Sequence, residues 1–529
     1  MSQRAAFRSL LLSGLLATGG AAFAQDPGFP ELPSRLDAIL SNDAVVARVG
    51  PARITASEFF LTSLFGPAFP KKSPDSRRRI LEYMINEKLL ALGARRKEKD
   101  PRVVANLAAL EGDMASEELY REDVLKSVRV SEGEIARAVA QQKTSITLRW
   151  LYRRDLREAA AVARGLRSGG SFDSLYRAEI SDSGMSADDR RMRATLFQLS
   201  RRNPQFASLA ESLQVGVASP PVTGPDGYYI LLIDSLAIQA LTTESAEAQA
   251  RADARRGLTM AKADSLSELY VRRRMLDAKP EIERSAFDLL RAYLGARVLE
   301  QEKFDAFGLT RNLPADSDYR QIERHGSRTL VKLRKGRVTL GEFLEWYRLR
   351  DANLTFRKNS PQAFFLSVED MVWRMVRDRL LVRAALQRGL QHRPSVANQL
   401  RWWKEKLLYQ VAKDSIMRTI GWTDSTLIAY YEGHPRSFRD SNGAVLPFDK
   451  AKEDVVREWY SLELNRRVLH TLNALKSRYT VTIDDKALHS VPLDAENDPA
   501  AMELYTVKKG GTFPHPAYPT IDYFWQTWQ

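Results

Sequence analysis

A pair of similar segments in distant parts of the chain constrains its fold more than any other feature. Arg337–Phe343 repeats the pattern of Arg53–Phe59 at a separation of 284 residues, and Met375–Leu381 repeats Met84–Leu90 at a separation of 291. A third, shorter match follows at 292. Separations that stay nearly constant over roughly a hundred residues indicate an internal duplication.

Each copy opens with a strand and a helix and is followed later by a long helix and a second strand. In the first copy, 44–50 predicts the strand, and Thr55 caps the next helix with Glu58 completing a capping box. The later helix and strand are predicted at 246–276 with 280–282, and at 449–475 with 479–483. The predicted fold class is therefore α+β and mostly helical, with two related helical modules.

A different pattern separates the first copy from its closing helix. Residues 146–152 alternate like a strand, a helical run over 156–166 ends at Gly169-Gly170, and the apolar strand 228–233 follows a turn at 224–227. Strands that alternate with helices over about ninety residues predict a small separate domain.

In order and spacing these residues, together with Ser181-Asp182-Ser183-Gly184 and 219–222, resemble a parvulin. Parvulins are the small peptidyl-prolyl cis-trans isomerase domains carried by exported SurA- and PrsA-type chaperones. The resemblance implies a four-stranded antiparallel sheet with helices, inserted in the first module alone. The helical modules in turn resemble the N-terminal, peptide-holding module of SurA-type chaperones.

The resemblance ends at the catalytic positions. The family's two histidine positions fall on Trp150 and Tyr229, its Asp or Cys position falls on Arg193, and 146–234 contains no histidine. Catalysis of prolyl isomerisation requires groups that stabilise the twisted amide more than the planar one, so no catalytic residue is assigned. Phe197 and Phe206 remain as expected walls of a proline pocket. The predicted peptide-binding residues are Trp150, Phe197, Phe206 and Tyr229, and plain core packing of these four is the alternative.

These patterns divide the whole chain. The helical modules occupy 44–143 and 328–435, and the parvulin-like domain occupies 144–238. The other predicted segments are a signal peptide (1–24), a linker (25–43), the closing helix of the first module (239–290), a connector (291–327), the closing helix and strand of the second module (446–490) and a C-terminal tail (491–529).

The N-terminus predicts export. Arg4 and Arg8 precede an apolar stretch from Leu10 to Ala22, and small residues lead to cleavage near Ala24-Gln25. This places the mature protein in the periplasm or outside the cell. The chain contains no cysteine, which excludes disulfides and thiol catalysis.

The charge distribution and the histidine spacing argue against nucleic-acid-binding proteins and metalloproteins. The net charge is +14, but its basic runs alternate with acidic residues along predicted helices and belong to no nucleic-acid-binding motif. The six histidines are scattered, without the spacing of metal ligands. We expect no cofactor, no metal, no nucleic-acid partner and no membrane-spanning segment.

The C-terminal tail ends in a dense aromatic group, Tyr523, Phe524, Trp525 and Trp528. One interpretation is a strap packed on its own domain. The other is a docking segment for a partner, because exposed aromatics at this density mark contact surfaces.

The resemblance implies a chaperone that holds unfolded or nascent exported polypeptides, including outer-membrane proteins, with the parvulin-like domain as a peptide-binding module that lacks isomerase activity. Two alternatives remain. One is an active prolyl isomerase that uses a non-histidine network around Arg193 or Tyr229. The other is a scaffold subunit of an envelope assembly.

Overall fold

The chain divides into two compact units. The computed structural model describes residue 39 and residues 42–183, 187–224, 226–239, 243–313, 317–351, 354–493 and 518–528. Unit 2 comprises 122–270, and unit 1 comprises the residues up to 121 and those from 271 onward. The expected signal peptide, nearly all of the linker and residues 494–517 of the tail lie outside the described residues. The predicted class is confirmed: the described chain is mostly helical, with small antiparallel sheets.

Unit 2 is built on a four-stranded antiparallel sheet in the order β4-β3-β6-β5. Its strands are β3 (Thr144–Arg153), β4 (Arg191–Thr195), β5 (Val222–Thr223) and β6 (Tyr228–Ile238). Its helices are α5 (Glu132–Lys143), α6 (Leu156–Arg167), α7 (Phe172–Ser183), α8 (Leu196–Arg202), α9 (Pro204–Ser212) and the larger part of α10 (Glu244–Ala278).

The two faces of this sheet carry separate apolar clusters, because successive side chains of a strand point to opposite faces. Ile146, Leu148 and Leu231 pack against α8 and α9 on one face. Leu151 and Ile230 pack against α6 and α7 on the other. Burial on both faces explains why β6 begins as a nearly continuous apolar run.

Unit 1 contains two three-stranded antiparallel sheets, each built around a hairpin. The first has the order β10-β1-β2 and consists of β1 (Val45–Val49), β2 (Ala52–Thr55) and β10 (Val481–Ile483). The second has the order β7-β8-β9 and consists of β7 (Glu281–Ile282), β8 (Thr329–Leu333) and β9 (Gly336–Thr339).

Helices surround both sheets. They are α1 (Ala56–Phe65), α2 (Ala68–Lys71), α3 (Ser76–Gly93), α4 (Pro101–Asp123), α11 (Arg284–Val298), α12 (Gln301–Ala306), α13 (Leu340–Arg348), α14 (Pro361–Gln387), α15 (Pro394–Met417), α16 (Asp424–Gly433), α17 (Phe448–Arg478) and α18 (Asp485–Ser490). One core joins the first hairpin, α1 and α3 to α15, α17 and Trp525 of the tail. A second joins the other hairpin to α11, α13 and α14.

The helices after the two hairpins begin alike, with one difference. Thr339 accepts from the backbone N–H of Glu342 (3.3 Å), and the Glu342 carboxylate accepts from the backbone N–H of Thr339 (2.8 Å), which completes a capping box. Thr55 likewise caps Glu58 (3.2 Å), but the Glu58 carboxylate accepts from the buried Lys88 ammonium instead (2.7 Å). The capping box predicted at Thr55 is therefore only half formed, because a buried cation requires a carboxylate partner.

The closing strands pair crosswise. The repeat pattern predicts 280–282 as the closing strand of the first copy and 479–483 as that of the second. In the structure β7 pairs with β8 of the second hairpin, and β10 pairs with β1 of the first. Local patterning predicts a strand but not its partner, since pairing depends on the burial of one face in the whole fold.

Two predicted boundaries also differ from the structure. The boundary at 290/291 falls inside α11, whose residues on both sides of it, including Leu289 and Leu294, fill the second core of unit 1. Helix α5, predicted to end the first module, groups with unit 2, where Ile135 and Ala138 are buried against Phe197 and Ala254. Among the described residues, the helices lack any stretch long and apolar enough to cross a membrane.

Candidate functional site

An aromatic surface lies on the α9 side of the unit 2 sheet, where its central strands β3 and β6 pair. Trp150 is paired with Leu231 and Tyr152 with Tyr229 in the antiparallel register. Strand alternation puts the even-numbered β3 residues and these odd-numbered β6 residues on one face. Trp150 and Tyr229 are half-buried, and both pack against the cluster that contains Phe206. The structure thus brings together three of the four predicted peptide-binding residues.

Tyr229 is the centre of this surface. Its ring meets Phe206 edge-on at 5.2 Å between centroids, and it meets Tyr152 edge-on at 5.4 Å. Its hydroxyl donates to the Asp226 carboxylate. Burial first, and then this hydrogen bond, raise the pKa of Tyr229 above its ordinary value. At physiological pH the phenol is neutral and its proton is already held by a carboxylate.

A glycine-bounded turn fixes both tyrosines. The backbone N–H of Gly224 donates to the carbonyl of Gly227 (2.8 Å). A Cβ on Gly224 would lie 2.3 Å from the Tyr229 ring, and one on Gly227 would lie 2.6 Å from the Tyr152 ring. The Tyr152 hydroxyl donates to the backbone carbonyl of Asp226 (2.8 Å). These close approaches explain why glycines bound the turn before β6.

Charged side chains border the same end of the sheet. The Glu179 carboxylate accepts from the guanidinium groups of Arg153 and Arg190, and all three side chains are largely buried. The positive charge of Arg190 opposes the raised pKa of Tyr229. An ion-paired cluster therefore lies beside the aromatic surface.

Two predicted site residues lie elsewhere. Phe197 is buried against Ile135, Ala138 and Ala254, so it fills the contact of α8 with α5 and α10 and lines no proline pocket. Helix α8 has apolar residues on two sides, and the sequence did not show which side faces the sheet. Arg193 is exposed and pairs with Thr147 in the register, on the face opposite Trp150. Arg193 therefore lies on the other face of the sheet from the cleft in which a donor role was expected for it.

Sequence reasoning missed Tyr152 and Asp226. The sequence could have predicted Tyr152 as a site residue, because it lies two residues after Trp150 and therefore shares its face of the strand. For Asp226 the sequence showed only that it lies in a turn, which does not indicate a partner. The aromatic surface offers apolar rings and a hydroxyl that is already bonded, and unit 2 contains no histidine in its sequence. Its chemistry suits contact with apolar or aromatic side chains of a peptide.

A second aromatic assembly lies in unit 1, around residues 518–528, called here the tail segment. Trp525 is fully buried, while Phe524 and Trp528 are partly buried against the same core. Tyr523 remains 69% exposed. Over these residues the chain forms the strap that was one of the two interpretations of the aromatic tail.

Polar groups hydrogen-bond the tail segment around the buried Trp525. The Glu87 carboxylate accepts from the Trp525 indole N–H (3.0 Å), from the backbone N–H of Asp522 (2.9 Å) and from the Lys406 ammonium (2.7 Å). The Asp522 carboxylate accepts from the Tyr409 hydroxyl (3.1 Å). Among the described residues, groups of three or more side chains able to hold a metal ion are absent.

No protein-family model and no curated protein matches the chain. Parts of it are similar to solved structures. Peptidylprolyl isomerase PrsA from Bacillus anthracis is 18% identical, with 36% of this chain and 97% of that chain covered and a TM-score of 0.22. A SurA-like chaperone from Campylobacter jejuni is 19% identical, with 45% and 99% covered and a TM-score of 0.20. PrsA from Bacillus cereus is 18% identical, with 45% and 92% covered and a TM-score of 0.20.

Proposed function

We propose that this protein is a chaperone of the exported SurA/PrsA type that holds unfolded polypeptides, and that its parvulin-like unit binds peptides without isomerising them. One observation carries the proposal: Trp150 and Tyr229 form an apolar aromatic surface at the positions that the parvulin resemblance assigns to imidazoles, and the Tyr229 hydroxyl at its centre is bonded to Asp226. Apolar rings that remain half-exposed favour binding of extended chains.

The same geometry disfavours isomerase chemistry. Rotation about an X-Pro bond crosses a barrier of about 18–20 kcal/mol and takes tens of seconds uncatalysed. A catalyst must offer donors that strengthen as the amide twists. The Tyr229 hydroxyl is already engaged, and Arg193 lies on the other face of the sheet. A holdase needs no such donor, because binding the unfolded chain lowers its free concentration and thereby its aggregation.

The proposal extends to the cellular location of the protein and to the polypeptides that it holds. Cleavage near Ala24-Gln25 would release the mature protein into the periplasm, and outer-membrane proteins in transit are the expected clients. N-terminal sequencing of the protein recovered from the periplasmic fraction tests the cleavage site. An N-terminus that still carries residues 1–24 would contradict it.

Replacing both central aromatics tests the peptide-binding role. In the Trp150→Ala, Tyr229→Ala double variant we expect the affinity for an unfolded aromatic-rich peptide to fall roughly 30- to 900-fold, because each of the two anchors contributes about 1–2 kcal/mol. Fluorescence anisotropy measures the affinity, and circular dichroism checks the fold.

Two matched variants sharpen this test. Arg193→Ala removes an exposed side chain from the opposite face and should leave binding unchanged. Tyr229→Phe keeps the ring but removes the hydroxyl, and it should also bind like the parent. If the folded double variant binds peptide as the parent does, the aromatic surface is core packing only. If Tyr229→Phe removes a prolyl isomerase activity present in the parent, the active-isomerase alternative is correct.

A further inference from the structure

The contact between the tail segment and unit 1 has the composition of a peptide-binding site. Trp525 is an aromatic anchor whose ring stacks on Tyr83 at 5.6 Å and on Tyr409 at 6.3 Å. Its indole N–H and the backbone N–H of Asp522 share the Glu87 carboxylate. One buried anchor surrounded by charge-assisted hydrogen bonds is the usual anatomy of an interface.

A second set of contacts fixes the direction of the segment. The Asp522 carboxylate accepts from the Lys413 ammonium and from the backbone N–H of Phe524 (2.9 Å). Tyr518 stacks on Phe65 with ring centroids 5.6 Å apart. The groove therefore holds a short 3-10 turn, Tyr523–Thr527, which Asp522 caps. Its carboxylate lies three residues before the aromatic anchor, and another ring lies further upstream.

Each hairpin of unit 1 and the helices that follow it are called here a hairpin module: the first contains β1, β2, α1 and α3, and the second contains β8, β9, α13 and α14. The second module contains an indole that the first module lacks. There the Trp346 indole N–H donates to the buried Asp378 carboxylate (2.9 Å), so α13 supplies the indole to α14 from within the module. At the separations of 284 and 291 residues found in the sequence, the matching positions are Thr62 and Glu87. The first module thus has the carboxylate but a small side chain in place of the indole, and the tail segment supplies the ring.

The space beside Thr62 is only partly filled by the tail segment. A cavity of about 40 Å³ lies beneath 519–521 and is lined by polar side chains, including Glu58, Lys88 and Glu405. This volume accommodates one or two water molecules. Trp402 also lines it, and its indole N–H has no hydrogen-bond partner among the described residues. Such a polar, loosely filled contact is typical of interfaces rather than of cores.

We propose that this groove is a second peptide-binding site and that the tail segment is its resident ligand. Its external ligands are client segments that form the same capped turn, with an acidic residue three positions before an aromatic anchor. The proposal rests on the chaperone function proposed above and assigns a client site to unit 1. A tethered segment competes at a local concentration on the order of 1 mM. For a segment that binds with a dissociation constant near 100 μM or tighter, an external peptide must overcome about tenfold or more of competition.

The test uses a labelled synthetic peptide of residues 518–529 as the probe. It is offered to the intact chain and to a chain with a protease site inserted between 494 and 517, cleaved after purification and separated from the released segment. We expect the probe to bind the cleaved chain at least about tenfold more tightly than the intact one. A client-type peptide with the same acid-to-aromatic spacing should compete for the groove, and a scrambled peptide of equal composition should not.

Variant probes identify the anchors. Trp525→Ala and Asp522→Asn in the probe should each weaken binding by roughly tenfold or more, whereas Tyr523→Ala, the exposed position, should change it less than about threefold. If the cleaved chain unfolds once the released segment is removed, exchange of the probe into the nicked chain with the segment still present provides the measurement.

Three outcomes would overturn the proposal. The first is a folded, cleaved chain that does not bind or exchange the probe. The second is equal probe affinity for the cleaved and intact chains. The third is exchange of tail segments between intact copies without competition by client-type peptide, which would make the occupant a second copy of this chain. The variants at Trp150 and Tyr229 act on unit 2 alone, so failure of the groove is distinguishable from failure of the proposed chaperone function.

Discussion

The two hairpin modules of unit 1 place an acid at the same helix position, buried Asp378 in the second and partly buried Glu87 in the first, but the two acids have different partners. In the second module Asp378 binds the indole of Trp346, which comes from the helix next to it in the module. In the first, Glu87 binds the indole of Trp525, from the last residues of the chain. The second module is complete in itself, whereas the first depends on a separate segment.

The ion pairs beside these acids differ in the same way. Glu342 and Arg379 form a pair whose side chains are about 40% exposed. Their counterparts Glu58 and Lys88 are almost fully buried, and Lys88 also bonds Glu405 of α15. Burial lowers the pKa of Lys88, but the two carboxylates outweigh it and leave that pKa above its ordinary value. The first module therefore buries more charge in its core, and this burial has the larger desolvation penalty.

The parallel geometry supports a duplication, which we propose as the origin of unit 1. In the structure β7 pairs with the second hairpin and β10 with the first. This crosswise pairing holds distant parts of the chain together in one unit.

The largest difference between the modules is expected at the ion pairs. Lys88→Met leaves the buried Glu58 and the partly buried Glu405 without their shared cation and should lower the free energy of unfolding by about 3–5 kcal/mol. Arg379→Met removes the exposed counterpart and should cost about 0–1 kcal/mol. Urea denaturation followed by circular dichroism compares the two variants. Equal losses would show that the burial difference has no energetic weight.

The indoles should show the next largest difference. Trp346→Ala leaves a cavity and removes the indole donor of the buried Asp378, which still accepts from Arg377. It should destabilise the second module by about 3 kcal/mol. Trp525→Ala should release the tail segment but leave the fold of unit 1 in place. Limited proteolysis measures both effects: early cleavage confined to the C-terminus is expected for Trp525→Ala. Global digestion of Trp525→Ala at the rate seen for Trp346→Ala would make the tail an ordinary part of the core.

The smallest effect concerns pH and Asp522. Burial raises the pKa of Asp522, but the Lys413 ammonium and the backbone N–H of Phe524 outweigh it, so the pKa lies below its ordinary value of 3.8. A lowered pKa stabilises the docked segment above pH 3.8 and loses that contribution as the pH falls through the docked value. The affinity of the probe for the cleaved chain should therefore decline as the pH falls below 3.8. An Asp522→Asn probe should lack this part of the decline, and parallel curves for the two probes would contradict the assignment.

The sequence predicted local structure well but not which elements meet. Residues 144–153 form the expected strand, and Trp150, Phe206 and Tyr229 share one surface, because alternation and spacing are local properties. Phe197 was misplaced, since the rotation of a short helix depends on its neighbours on both sides. The constant separations in the repeat already aligned Glu87 with Asp378 and Thr62 with Trp346. What they did not show was that Trp525, more than 400 residues later in the chain, would occupy the open position.

The most direct test of the proposed function is a protease-coupled prolyl isomerisation assay on the mature protein, run beside suppression of aggregation of an unfolded outer-membrane protein. We expect no acceleration of isomerisation above the uncatalysed rate and clear suppression of aggregation at stoichiometric amounts. Turnover that disappears in Tyr229→Phe would contradict the assignment of the parvulin-like unit as a binding module. Absence of both activities would contradict the chaperone function and favour the scaffold alternative.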